Sequence, residues 1–485
     1  MLRGDKSQEL SRARLSALDA SFLDVESGPA HMHVGWAAVL SPLPGRARPS
    51  FDDLRAHIES RLGRAPRYRQ RLAEVPFGLH DPVWVDDRDF DPSHHIRASD
   101  QSDLAALSAE VLSRRLRRDR PLWELWITDR LSEGRIGVVG KVHHCMVDGL
   151  AAWELASLLF DPSPDSPASS SGQWLAAPPP DPVAMGATAV RERISDGVRL
   201  AGRALKLSRP STDLLALPAG ALQATRTLAH MVFPIGTSTA LNCSLTSDRR
   251  LVTARRPFAD LLTIKRHHRA TVNDVVLATC AGALHRLLKD SGEESRRLKA
   301  MVPVSARDPH QRAELGNQVS ALFLGLPSDE TDPVERLRHI QRSMGARKRA
   351  RDDQAARVAA EALRYVPRSL RRLAAPQLVA KAQGFNLTIS NIPGPRQPLY
   401  MLGCRLDEAY PVVPLPENHA LSIGMTAIDQ TACFGTYVDP VALPEADRFA
   451  DCLHTALDEL LDTTNHRSRP SASARSSRPH PVRAD

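Results

Sequence analysis

The first 160 residues contain two kinds of hydrophobic pattern. Short apolar runs typical of buried strands occupy residues 34–40 (VGWAAVL) and 136–144 (IGVVGKVHH). Apolar residues at helical spacing predict helices at 50–62 and 104–116, and Ser50 is the expected N-cap of the first. Another helix is predicted for the segment GLAAWELASLLF, which follows the two histidines. Strands and helices in this order predict an α/β domain over residues 15–160.

A second set of strands and helices begins near residue 239. Strands are predicted for the apolar runs KAMVPVSAR (299–307), ALFLGLP (321–327), FNLTISNI (385–392) and ALSIGMTAI (420–428). Helices are predicted at 274–288 and 446–462, where apolar residues recur with the period of a helix. The pattern therefore predicts a second α/β domain over residues 239–464.

Three stretches lack the pattern of a packed domain. Residues 1–14 and 465–485 are polar and charged, and we expect both to be disordered. Residues 161–238 form a connector that opens with the Pro- and Ser-rich run DPSPDSPASSSGQWLAAPPPDP. Within the connector, apolar residues recur at helical spacing at Val190, Ile194, Val198, Ala201 and Leu205. We favour a crossover helix packed on the domain over a basic amphipathic helix that lies on a membrane.

The net charge of +8 does not indicate a nucleic-acid-binding protein. Residues 466–485 contain five arginines and a single acid, so half of the excess positive charge lies in this short tail. Nucleic-acid grooves combine basic residues with interleaved aromatics, and no such stripe occurs in this chain. A basic protein is also attracted to anionic lipid headgroups, which makes a membrane surface the more plausible partner.

The six cysteines are scattered and contain no CxxC pair, which favours a reducing compartment over a disulfide framework or a zinc site. The N-terminal residues lack the apolar region of a signal peptide. No run of 18 apolar residues is present that could span a membrane. We therefore expect a cytosolic protein that contacts a membrane or a lipid droplet at most peripherally.

The segment HHCMVDG, residues 143–149, is the strongest candidate for chemistry. Side chains alternate along a strand, so only one of the two adjacent histidines can face a given cleft. Imidazole can accept a proton from a hydroxyl near neutral pH and then release it to a leaving group. Other interpretations remain open: structural histidines, a metal site, which adjacent spacing suits poorly, or a serine hydrolase, although no GxSxG segment is present.

HHCMVDG resembles the active-site motif of the CoA-dependent acyltransferase superfamily, whose members include chloramphenicol acetyltransferase. Several other segments resemble one branch of it, the bacterial wax ester synthase/acyl-CoA:diacylglycerol acyltransferase family. In chain order these segments are LSALDASFL (15–23), HMHVG (31–35), PLWE (121–124), TVNDVVLA (271–278), VPVSARD (302–308), GNQVSALFLGLP (316–327) and SNIPGP (390–395). The resemblance implies two chloramphenicol-acetyltransferase-like α/β domains, each a mixed sheet with helices, and an active-site channel between them.

The resemblance also implies roles for individual residues. His144 would be the general base, and His143 would support it, with a structural role favoured over a catalytic one. Asp148, next to Gly149, would brace the loop through a salt bridge with Arg307 rather than contact the substrate.

Four more residues are candidates on the same basis. Asn273 would donate a hydrogen bond to the oxyanion or fix the acceptor, although Asn273 or Asp274 would also suit the N-cap of the following helix. Trp123 would line the acyl pocket or fill the core, and the core is favoured. Ser390 and Asn391 would lie near the CoA tunnel, or at an ordinary turn before Pro393.

The implied reaction moves a long-chain acyl group from acyl-CoA to the hydroxyl of diacylglycerol or of a fatty alcohol, without an acyl-enzyme. No cofactor or metal is expected, because the thioester is already activated and acyl-CoA is a substrate. Two alternatives remain open: a related transferase with another hydroxyl or amine acceptor, and an inactive protein that binds lipid surfaces.

Overall fold

A computed structural model describes residues 13–146, 158–166, 174–207, 239–292, 296–305, 319–350, 365–373, 384–395 and 397–465. Its strands are β1 (His33–Pro42), β2 (Gln70–Ala73), β3 (Val83–Asp86), β4 (Ile96–Ala98), β5 (Trp123–Thr128), β6 (Ile136–His143), β7 (Arg250–Pro257), β8 (Leu298–Ser305), β9 (Val319–Leu326), β10 (Leu387–Ile392), β11 (Tyr400–Met401), β12 (Cys404–Val412), β13 (Leu421–Ile428) and β14 (Thr431–Val438). Its helices are α1 (Ala17–Val25), α2 (Phe51–Glu59), α3 (Leu104–Leu112), α4 (Pro182–Leu207), α5 (Phe258–His268), α6 (Val272–Asp290), α7 (Pro333–Ala350) and α8 (Phe449–Asn465). The α/β class predicted from the sequence is confirmed.

The first sheet carries the histidine segment. Its strand order is β11-β12-β1-β6-β5-β4, and β1 lies antiparallel to both β6 and β12. Helices α1, α2 and α3 contribute buried apolar residues to the core on this sheet. Ser50 caps α2 as predicted, and its side chain and that of Asp53 form a reciprocal capping box.

The second sheet has the order β7-β14-β13-β10-β8-β9. It is mixed, because β10 runs parallel to β8 and β13 whereas the other neighbours are antiparallel. Helix α6 is buried on nearly all sides over this sheet and packs against α7 and α8. Its uniformly apolar sequence, VVLATCAGAL, suits a helix that is covered on every face.

A segment from the second half of the chain completes the first sheet. The sequence interpretation placed residues 239–464 in one domain, but β11 and β12 hydrogen-bond in the first sheet, where β12 pairs with β1. Glycines allow β12 to pass close to the second sheet: a Cβ at Gly435 would lie 2.2 Å from the Pro411 carbonyl oxygen. The two sheets are therefore joined through the same strand.

The connector is also attached to the first domain. The backbone groups of Asp161 and Tyr400 exchange hydrogen bonds at 2.7 and 2.8 Å, and the Asp161 carboxylate pairs with the buried Arg61. The predicted helix within the connector is observed as α4.

Helix α4 packs on the first domain, as the preferred interpretation had it, but the apolar stripe is not the face that packs. Val190, Ile194 and Val198 are 46%, 64% and 66% exposed, whereas Met185 and Ala189 on another face are buried. The side chains of Ala201 and Leu205 lie outside the described residues. The helix packs on the protein through Met185, Thr188, Ala189 and Asp196 instead. The spacing of apolar residues shows that a helix has an apolar face, but it does not show whether that face is covered.

Candidate functional site

His144 lies where β6 ends. His143 is the last residue of the strand, and His144 begins a short helical turn, His144–Met146. The His144 amide donates to the carbonyl of Met32 (3.0 Å), which fixes the corner against the HMHVG segment. His143 is fully buried while His144 is half-buried, as expected for adjacent side chains on opposite sides of a strand end.

An aromatic ring covers the His144 imidazole. Phe22, from α1, stacks on it with ring centroids 3.8 Å apart and an interplanar angle of 20°. Burial lowers the pKa of His144 to about 4, so the ring is neutral at pH 7 and can accept a proton. Its Nδ1 is inaccessible to solvent, which leaves Nε2 as the nitrogen available to a substrate.

His143 is held as a neutral ring with a defined tautomer. Its Nδ1 accepts a hydrogen bond from the Cys145 amide (3.1 Å), so the ring proton is on Nε2. That nitrogen lies 3.8 Å from a carboxylate oxygen of Glu26. Burial, reinforced by Arg118, lowers the pKa of His143 to about 3. Its lone pair is thus already used, which suits a structural rather than a proton-accepting role.

Glu26 is a site residue that the sequence interpretation missed. Its side chain is only 2% exposed, and it pairs with Arg118 and, at 3.4 Å, with Arg115. The carboxylate of Glu26 is therefore buried between two guanidinium groups and close to the His143 ring. It lies just past the end of α1, and only the strand–helix packing brings it to the histidines.

Two more histidines, from HMHVG, extend the cluster. The ring centroid of His33 lies 6.3 Å from that of His143, and that of His31 lies 5.4 Å from that of His33. Burial lowers the pKa of His31 to about 4 and holds that of His33 well below its usual value. His33 in β1 pairs directly with His143 in β6, so the HMHVG segment, 110 residues earlier in the chain, lies next to His143.

Helix α1, which carries Phe22, is fastened by buried ion pairs. Asp24 lies 3.5 Å from the Arg368 Nε and 3.9 Å from the Arg371 Nε, in the helical segment 368–373. Burial raises the pKa of Asp24, and the two guanidinium groups oppose that shift. Arg371 also donates to the Ala17 carbonyl (3.0 Å) at the start of α1. Residues from the second half of the chain thus set the position of α1.

Asn273 does not cap α6. The N-cap is Thr271, whose hydroxyl accepts a hydrogen bond from the Asp274 amide (3.1 Å). In return, the Thr271 amide donates a hydrogen bond to the Asp274 carboxylate (2.8 Å). The prediction that Asn273 or Asp274 is the N-cap is therefore wrong, although Asp274 takes part in the capping box from the third helical position. Asn273 is half-buried in the first turn, and its side chain is not needed for the cap.

Trp123 belongs to the core of the first domain. Its indole N–H donates to the Tyr68 carbonyl (2.8 Å), and its ring stacks on His95 with centroids 4.7 Å apart. It also borders a small cavity together with Trp36 and Leu159.

Ser390 and Asn391 lie near the end of β10 and are half-buried. The turn that follows is tight, because a Cβ at Gly394 would lie 1.7 Å from the Ala427 carbonyl oxygen. Asp148, Gly149 and Arg307 lie outside the described residues, and so does the predicted salt bridge.

Within the described ranges, no group of three or more His, Cys, Asp or Glu side chains is arranged to hold a metal ion. None of the helices described is long and apolar enough to cross a membrane.

Comparison with known families decides the kind of protein. The catalytic-domain model of wax ester synthase/diacylglycerol acyltransferases matches residues 15–276, and the model of their C-terminal domain matches residues 315–461. The chain belongs to the wax ester synthase/diacylglycerol acyltransferase family. It is therefore an acyltransferase, as the sequence resemblance implied.

Relatives of this acyltransferase occur in Mycobacterium tuberculosis. A probable diacylglycerol O-acyltransferase of strain H37Rv is 29% identical over 464 residues, with 93% of this chain and 96% of the relative covered. A putative diacylglycerol O-acyltransferase of the same strain is 32% identical over 478 residues, with 93% and 91% covered.

Solved structures share the fold. The wax ester synthase/diacylglycerol acyltransferase of Marinobacter aquaeolei VT8 aligns with a TM-score of 0.68 at 24% identity, covering 93% of this chain and all of that one. The trichothecene 15-O-acetyltransferase of Fusarium sporotrichioides aligns with a TM-score of 0.58 at 12% identity, covering 93% and 94%. The predicted two-domain acyltransferase fold is confirmed.

Proposed function

We propose that this protein transfers a long-chain acyl group from acyl-CoA to the hydroxyl of diacylglycerol, which forms triacylglycerol, or to a fatty alcohol, which forms a wax ester. His144 is the general base. The observation that carries the assignment is the neutral imidazole at the end of β6, enclosed at Nδ1 and stacked by Phe22. The assignment of the mycobacterial relatives as diacylglycerol O-acyltransferases supports diacylglycerol as the acceptor.

The reaction needs one base and no covalent enzyme intermediate. Nε2 of His144 takes the hydroxyl proton as the alcohol oxygen attacks the thioester carbonyl carbon. The carbon–sulfur bond then breaks, and the imidazolium returns the proton to the CoA thiolate. Cys145, the neighbouring nucleophile, is a poor candidate for an acyl-enzyme, because burial raises the pKa of its thiol well above the usual value.

Other residues support this step in the proposal. His143, whose Nδ1 accepts a hydrogen bond from the Cys145 amide and whose Nε2 lies 3.8 Å from Glu26, holds the strand end that carries His144. Asn273, free of the capping role, donates a hydrogen bond to the tetrahedral oxyanion. Asp148 and Arg307 brace the loop after the histidines, next to Gly149. Ser390 and Asn391 contribute to the CoA side of the channel.

An acceptor panel tests the proposal. Purified protein with palmitoyl-CoA is offered dioleoylglycerol, hexadecanol and short alcohols, while CoA release is followed with a thiol reagent and the lipid products are separated. We expect ester formation with at least one lipid acceptor and its loss in His144→Ala. The matched control is His267→Ala, which removes an exposed histidine at the end of α5 and should leave activity unchanged.

Three outcomes would count against the proposal. Full activity in His144→Ala would show that the base is wrong. CoA release with amine acceptors alone would show that the acceptor class is wrong. No release above the His144→Ala background with any lipid acceptor would reject the storage-lipid function and leave the fold assignment unaffected.

A further inference from the structure

Helix α4 exposes a continuous apolar stripe. Val183, Val190, Ile194 and Val198 are 77%, 46%, 64% and 66% exposed. Their spacing of seven, four and four residues places them on a single face of the helix. Four branched apolar side chains in one exposed line are unusual for a surface that faces only water.

The exposed stripe lies away from the face of α4 that packs on the protein. Met185, Thr188 and Ala189 are buried, and Met185 and Ala189 pack against a small core with Val75, Val83 and Val85. At about 100° per residue, the centre of this packed face lies roughly opposite the exposed stripe. Packing on the protein therefore does not account for the apolar residues of the stripe.

A loop beside α4 adds a large aromatic side chain. Phe77 is 96% exposed, and it adopts a left-handed backbone conformation (φ 58°), followed by Gly78 (φ 62°). A bulky residue rarely adopts this conformation, and here it projects the phenyl ring away from the protein. Arg193 of α4 donates to the Leu79 carbonyl (3.3 Å), which ties the loop to the helix.

Segment 368–373 adds two exposed leucines near the loop that carries Phe77. Leu370 and Leu373, one turn apart in the segment 368–373, are 55% and 71% exposed. Arg371 in that segment contacts Asp81, two residues after Leu79. Together, Phe77, Leu79, Val183, Val190, Ile194, Val198, Leu370 and Leu373 form what we call the α4 surface.

The charge around the α4 surface is positive. The sequence of α4 contains five basic and two acidic residues. Both acids lie on the packed side: Glu192 pairs with Arg14 (2.7 Å), and Asp196 is buried. Arg191 and Arg372, by contrast, are exposed on α4 and on segment 368–373. A second copy of the chain on this surface would bring like charges together, whereas anionic lipid headgroups would complement them.

We propose that the α4 surface docks the protein on an anionic lipid bilayer. The helix lies in the interface plane, with its apolar stripe and Phe77 inserted among the acyl chains and its arginines at headgroup level. The inference deepens the proposed function, because a diacylglycerol or fatty alcohol acceptor is dissolved in such a bilayer. Docking itself requires no catalysis and is tested without it.

Vesicle co-sedimentation of the full chain tests the docking. The vesicles contain phosphatidylcholine with or without phosphatidylglycerol, and the test variant is Ile194→Ser/Val198→Ser. The matched control is Leu402→Ser/Val441→Ser, which removes two exposed apolar side chains (40% and 60%) outside the α4 surface. We expect about a tenfold lower partition coefficient for the test variant on anionic vesicles and no change for the control.

Several results would overturn the docking proposal. Equal binding of the two double variants would show that the apolar stripe does not contact the bilayer. Equal binding of the wild type to neutral and anionic vesicles would show that the positive charge does not contribute to binding. A change of the test variant from oligomer to monomer in lipid-free sedimentation would show that a second copy covers the surface. His144→Ala separates this inference from the proposed function, because it should bind vesicles like the wild type while it forms no ester.

Discussion

At the scale of single residues, the two adjacent histidines of the candidate site have different surroundings. His144 is neutral and stacked by Phe22, with its Nδ1 enclosed. His143 has its lone pair occupied by the Cys145 amide and its N–H near Glu26. The two rings differ because the strand end turns them to opposite sides, where their partners are different.

Replacing Phe22 tests whether the stacked ring orients the base. Phe22→Ala should lower kcat about 3- to 10-fold, because an aromatic pair contributes about 0.5–1.5 kcal/mol beyond simple burial. Phe22→Tyr should retain most of the activity, and His267→Ala serves as the control on an exposed ring. Steady-state kinetics with a short alcohol measure the effect. Equal kcat values for Phe22→Ala and the wild type would show that Phe22 does not orient the base.

The pH dependence of kcat/KM tests the depressed pKa of His144. The base must be unprotonated in the free enzyme, so kcat/KM should stay constant from pH 8 to about 5.5 and fall as the pH approaches 4. An ordinary imidazole would instead lose activity through pH 6.5. Initial rates in brief assays, with the folded state checked at each pH, give the profile. A midpoint near pH 6.5 would contradict the burial of this ring.

At the scale of secondary-structure elements, α1 and α6 carry candidate site residues and are fixed in different ways. Helix α6 begins with a capping box made by its own residues, Thr271 and Asp274. Helix α1 is held from a distance, through the ion pairs of Asp24 with Arg368 and Arg371.

The capping box separates the stability of α6 from the proposed role of Asn273. Thr271→Ala should lower the free energy of unfolding by about 1 kcal/mol, because it removes the N-cap. Asn273→Ala should change that free energy by less than about 0.5 kcal/mol and lower kcat about 100-fold, as expected for the loss of an oxyanion donor. Urea unfolding and ester formation measure the two effects. If Asn273→Ala retains full kcat, the oxyanion role is wrong.

Removing Asp24 tests how α1 is fastened. Asp24→Ala leaves two largely buried guanidinium groups without one of their carboxylates, and we expect a loss of about 2 kcal/mol in the free energy of unfolding. The matched control is Asp165→Ala, which breaks an exposed pair with Arg46 and should cost less than about 0.5 kcal/mol. Urea denaturation measures both variants, and equal losses would show that the buried pairs do not stabilise α1.

At the scale of the whole molecule, β12 connects the two sheets. It pairs with β1 in the first sheet, while its Pro411 lies against Gly424 and Gly435 of the second. In the sequence, four strands of the second sheet (β7 to β10) precede β12, and the other two, β13 and β14, follow it. The relative position of the sheets, and with it any channel between them, depends on this strand.

A pair of glycine substitutions tests this junction. Gly435→Ala would place a Cβ 2.2 Å from the Pro411 carbonyl oxygen, and we expect at least about 3 kcal/mol of destabilisation. Gly197→Ala has no atom within 4 Å of the added Cβ and lies in α4, so it should stabilise by about 0.5–1 kcal/mol. Thermal unfolding ranks the two variants. Similar melting temperatures would show that β12 does not hold the sheets together.

The sequence alone determined the local features. Apolar periodicity located the main strands and helices, and Ser50 was recognised as a helix cap from four neighbouring residues. The hypothesis that His144 is the base rests on a short motif and its companion segments. The elements and the cap could be located because helix periods and caps depend on residues close together in the chain.

Only the tertiary structure decided which distant residues meet. It placed Phe22 and Glu26 beside the histidines, inserted β12 into the first sheet and turned the apolar stripe of α4 outward. A pattern of apolar residues shows that one face of an element is apolar, but not what covers it. Strand pairing and burial depend on contacts between residues far apart in sequence, and these form only when the whole chain is packed.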